Sequence, residues 1–101
     1  MREIYFGDLR LMVNGYIRQI DDNSPETHSI EWFLLKYMKR IVRTAEPPAR
    51  PGQVEGAVRS LVRFYVDNID EKSELGRICI NIYDQYRKTL RDTQASDVTR
   101  H

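Results

Sequence analysis

The chain has 101 residues, 41% of them hydrophobic and 31% charged, with 16 basic and 15 acidic residues and a formal net charge of +1. That length suits one domain and excludes two; the composition excludes a disordered or membrane-embedded chain; and the small net charge sets it apart from the strongly basic binders of nucleic acid. The longest strongly apolar run is Trp32-Phe33-Leu34-Leu35, far short of a membrane span, and residues 1–6 hold no apolar stretch of signal-peptide length. The one cysteine, Cys79, excludes an internal disulfide, so a cytoplasmic location is expected.

The first predicted helix covers 8–21. Leu9, Met12, Val13, Tyr16, Ile17 and Ile20 recur at helical spacing and share one face. Tyr5 extends that stripe backwards, so Ile4 to Phe6 are either a further helical turn or a short extended arm. Gly15 inside the helix is read as a point of close packing.

Ser24-Pro25-Glu26 reads as a helix start, with a hydroxyl cap, a proline at the first helical position and an acid at the positive end of the dipole. The second helix is therefore expected over 25–44, with Ile30, Phe33, Leu34, Tyr37, Met38 and Ile41 as its core stripe. Trp32, Leu35 and Val42 fall outside that stripe, so apolar surface wraps much of this helix. Its other feature is the basic row Lys36, Lys39, Arg40 and Arg43, which no acid at i±4 neutralises along the row.

Pro47, Pro48 and Pro51 end the helix and stiffen the connection that follows. A third helix is expected over 53–68, on Val54, Ala57, Val58, Leu61, Val62 and Tyr65. Gly52, Gly56 and Ser60 form a small-residue row read as the seat of a neighbouring helix. Asp70 is positioned to cap a fourth helix over 71–92, built on Leu75, Ile78, Cys79, Ile82, Tyr83, Tyr86 and Leu90. Residues 93–101 carry no apolar pattern and are expected to be a disordered tail.

The expected fold is all-α: a small four-helix bundle of two helical hairpins in a single domain over 1–92, or a variant with a helix shared across a homodimer. Cys79 sits on an apolar stripe and reads as a buried thiol rather than a nucleophile. His28 and Glu31 are three apart, but two ligands do not make a metal site and no His or Cys cluster completes one. The acids Asp21-Asp22 and Asp67, Asp70 and Glu71 gather at helix junctions, where they cap and solvate. With no phosphate-binding glycine loop and no nucleophile elbow, the chain is not expected to be an enzyme and no cofactor is implied.

Two surface readings remain. Trp32, Leu35, Phe64, Val66 and Ile80 lie off their helices' main stripes and exceed what one small bundle leaves in water, which points to a protein partner, a homodimer among them. That profile fits a small regulator: an inhibitor of transcription factors, an immunity protein or an assembly factor. The alternative is a regulator that binds nucleic acid through Lys36, Lys39, Arg40 and Arg43, following a phosphate backbone.

Overall fold

The computed structural model describes residues 4–99, with side chains through Asp92. The chain forms four helices, α1 (Gly7–Asp21), α2 (Ile30–Ala45), α3 (Pro51–Asn68) and α4 (Glu74–Thr99), and there is no strand among the described residues. They pack as a ring in chain order, α1 on α2, α2 on α3, α3 on α4 and α4 back on α1. Contacts between side chains fix the directions. Late in α1, Gln19 Nε2 donates to Glu74 Oε1 at the start of α4 (3.1 Å); a turn earlier, the Tyr16 hydroxyl accepts from Asn81 Nδ2 (3.0 Å). Phe6, just before α1, stacks on Tyr86 further along α4, with ring centroids 6.4 Å apart. α1 and α4 are therefore antiparallel. The pairs Tyr37 with Phe64 and Arg40 with Ser60 show the same for α2 and α3. The topology is the expected up-down-up-down bundle.

Its core is one cluster. Leu9, Val13, Leu34, Met38, Ile41, Val54, Val58, Leu61, Cys79 and Ile82 are all but sealed from solvent. Ile4 to Phe6 form an arm rather than a helical turn, and it is Phe6, not Tyr5, that joins the core; Tyr5 is 75% exposed.

α2 begins five residues later than the Ser24-Pro25 signal predicts. Ser24 and His28 both take positive φ (48° and 68°), the left-handed conformation that reverses a chain in a short space. Those two residues carry the chain from α1 to α2 and interrupt any helix begun at Pro25. The cap is Ser29, whose hydroxyl accepts from the Trp32 N–H at 3.2 Å. α4 shows a similar displacement. Asp70 accepts from the Lys72 N–H at 2.9 Å and shapes the preceding turn, while Ser73 accepts from the Gly76 N–H at 3.0 Å and caps the helix. α3 begins slightly earlier than predicted because Pro51 serves as its first residue. The tail expected at 93–101 falls where only backbone is described, to Thr99, and in part outside the described residues.

The glycines do not play the predicted parts. A methyl group at Gly15, Gly52 or Gly56 would meet nothing within 4 Å, so neither Gly15 nor the two glycines of the small-residue row on α3 seat a neighbouring helix. The glycine that packing requires is Gly76. A Cβ there would collide with the Asp70 carbonyl oxygen and crowd the Glu71 backbone, because the 70–73 turn folds tightly over the start of α4. Gly76→Ala is expected to cost about 1–3 kcal/mol through overpacking, whereas Gly15→Ala is expected to stabilise by up to about 1 kcal/mol through helix propensity. Urea unfolding of the two variants checks this, and the opposite order would remove the tight turn from the account.

Candidate functional site

The face that stands out begins with the rotation of α2 about its own axis. Its buried residues are Leu34, Leu35, Met38, Ile41 and Ala45. At 100° per residue they span one arc centred near Met38, directed between α1 and α3. Leu35, expected as an interface residue, belongs to that arc and is 5% exposed. Phe33, expected in the core stripe, is rotated out of it, and Ile30, also expected there, lies at its margin as the first residue of α2; they are 37% and 42% exposed. The correction has a simple cause. A helix between two neighbours buries an arc wide enough to include Leu35, and Trp32 and Phe33, adjacent in sequence, cannot both turn inward with Leu34 and Leu35.

The displaced rings do not scatter. Trp32 meets Phe33 edge-on with centroids 5.0 Å apart, Phe33 lies 6.2 Å from Phe64 on α3, and Phe64 lies 5.0 Å from Tyr37. His28 closes one end, 4.9 Å from Trp32, and Lys36 places its ammonium 4.0 Å from the indole centre. The result is an aromatic strip running across the outside of α2 onto α3. Tyr37 and Phe64 rest against the core cluster, whereas exposed Phe33 and half-buried Trp32 are neither in the core nor packed against it. His28 lies in the turn before α2 rather than in its first helical turn. Among the described residues no three His, Cys, Asp or Glu side chains gather as metal ligands.

Of the other expected interface residues, Val66 is 70% exposed but two positions beyond Phe64, hence 200° round α3 and away from the strip. Ile80, 40% exposed, is on α4. The strip thus brings Trp32 and Phe64 together and leaves Val66 and Ile80 apart from them. It also contains Phe33 and Tyr37, which the sequence had placed in the core. Their i, i+4 spacing next to a tryptophan was the available signal.

The basic row Lys36, Lys39, Arg40 and Arg43 is wholly exposed and lies opposite the buried arc. Arg40 is at its α3 edge, where Nη1 donates to Ser60 Oγ at 3.4 Å. Arg40, Arg59, Ser60, Arg63, Tyr37 and Phe64 line a groove of about 590 Å³ between α2 and α3. Gly56 also borders it and contributes no side chain to fill it. Arg59 and Arg63 were not singled out by the sequence; they matter only once α3 is set beside Arg40.

Cys79 is not part of this face. It is buried in the core, and burial pushes its thiol up to about 11. Burial raises the Tyr86 and Tyr65 phenols as well, with further upward pushes from Glu55 on Tyr86 and from Glu71 on Tyr65. Comparison of the chain with protein-family models, curated proteins and solved structures finds no match.

These groups set an alkaline limit. Below pH 9 the Cys79 thiol is protonated in both states. Between pH 9 and 11 the unfolded chain releases its proton while the folded chain retains it, so stability falls as pH rises, by about 2 kcal/mol for this group. Denaturant unfolding between pH 8 and 11 should show that loss, and Cys79→Ala should flatten it. An unchanged slope in the variant would contradict the assignment.

Proposed function

We propose that this chain is a protein–protein interaction module that recognises its partner through the aromatic strip on α2 and α3. The observation that carries the reading is the position of Trp32 and Phe33: large aromatic rings held outside a core that is complete without them, continuous with the half-buried Phe64 and Tyr37. Clustered aromatics that bring large contact area at low cost in side-chain entropy are the usual anchors of an interface. The biological role that fits is a small regulator of the inhibitor, immunity-protein or assembly-factor kind, acting by occupying a surface of another protein.

The nucleic-acid reading draws on the same exposed basic row. Base stacking needs open ring faces, and here Trp32 and Phe33 meet edge-to-face while Lys36 covers the indole. That closed arrangement favours a protein partner. A homodimer through this face would bring two basic rows together, which opposes isologous pairing, so the partner proposed is a different protein.

The test is affinity capture from the native host with three immobilised chains, followed by mass spectrometry. The parent chain and a Leu11→Ser control, altered at an exposed site on α1, should retain the same protein. A Trp32→Glu variant should lose at least nine-tenths of it while keeping its helical circular dichroism. Equal capture by Trp32→Glu, or capture of nothing by the parent, overturns the proposal.

A further inference from the structure

The groove beside the strip specifies the chemistry of its occupant. Arg40 on α2 and Arg59 and Arg63 on α3 line it together with two aromatic residues, Tyr37 and Phe64. Lys36, Lys39 and Arg43 continue the positive charge along the outside of α2. The carboxylates on this side are few. Asp67 borders the groove, and Glu55 lies 3.2 Å from Arg59 in an ion pair exposed on both sides. In a chain whose net charge is only +1, this face thus gathers six of the 16 basic residues with few acids among them.

None of the three arginines is committed to a strong internal partner. The bond from Arg40 to Ser60 is long and ends on an uncharged hydroxyl, the Arg59–Glu55 pair is held in water where such pairs are weak, and Arg63 has no ion pair among the described residues. Guanidiniums are shaped to take carboxylates two N–H groups at a time. A groove of about 590 Å³ accepts several side chains at once.

We infer that the occupant of this face is an acidic, amphipathic helical segment of the partner protein. Its carboxylates lie on Arg40, Arg59 and Arg63 and its apolar side lies against Tyr37, Phe64 and the strip. This inference rests on the protein-binding reading and adds the charge and shape of the partner to it. Helix-in-groove recognition of this kind takes affinity from apolar anchors, while charge sets partner choice and the rate of encounter.

The probe is a synthetic 18-residue amphipathic peptide with leucines on one face and glutamates on the other, titrated into the ¹⁵N-labelled chain. Saturable shifts are expected at the amides of Arg40, Ser60 and Phe64. Raising the salt should weaken binding, and the double variant Arg59→Glu, Arg63→Glu should weaken it about tenfold or more while its other resonances stay in place. If a peptide with glutamine in place of glutamate binds there equally well, the acidic inference is overturned and the protein-binding reading stands. If neither peptide shifts these amides, both are overturned for this face. If a single-stranded oligonucleotide of equal charge displaces the glutamate peptide from the same amides at lower concentration, the face belongs to nucleic acid and the inference falls.

Discussion

The burial of Leu34, Leu35, Met38 and Ile41 as one arc of α2 is the constraint on which the rest depends. α2 packs against both α1 and α3, so its core-facing arc is wide and its rotation is fixed from two sides. Once that arc is set, the helical repeat leaves no freedom. Trp32 and Phe33 turn outward, Tyr37 moves to the α3 edge, and the four cations from Lys36 to Arg43 fall on the far side. The candidate face is in this sense a by-product of core packing. The same burial that stabilises the bundle displays the rings and the charges.

The face joins two kinds of recognition on neighbouring ground. The aromatic strip offers rigid apolar area, and the arginine groove next to it offers charge whose internal partners are weak. Apolar contact alone would accept many partners, and exposed charge alone would contribute little affinity. Their juxtaposition suits selection among helical segments of similar hydrophobicity but different charge. Three acids, Glu26, Glu31 and Glu74, border a separate cleft where α1 ends and α2 and α4 begin.

Helical periodicity made the fold legible in the sequence, because four amphipathic segments with short links have few ways to pack. The helix starts were less so. Ser24-Pro25 and Asp70 carry sound capping chemistry, yet Ser29 and Ser73 do the capping, since left-handed residues at Ser24 and His28 and the turn over Gly76 decide where each helix can begin. Those are properties of chain reversal, which no local pattern records. The interface was half legible. Trp32 and Phe64 stood out by their phase, but Leu35 and Phe33 exchanged places because the width of the buried arc depends on how many neighbours α2 has. Arg59 and Arg63 became meaningful only when the fold placed them along the same groove as Arg40.

The rotation of α2 is most directly tested by comparing Leu35→Ala with Phe33→Ala in denaturant unfolding. Leu35→Ala is expected to lose about 2–5 kcal/mol, the cost of a buried leucine. Phe33→Ala is expected to lose less than about 1.5 kcal/mol, the scale of a ring contact at the surface. A larger loss from Phe33→Ala than from Leu35→Ala would mean that the helix is turned the other way, and the proposed face would not exist.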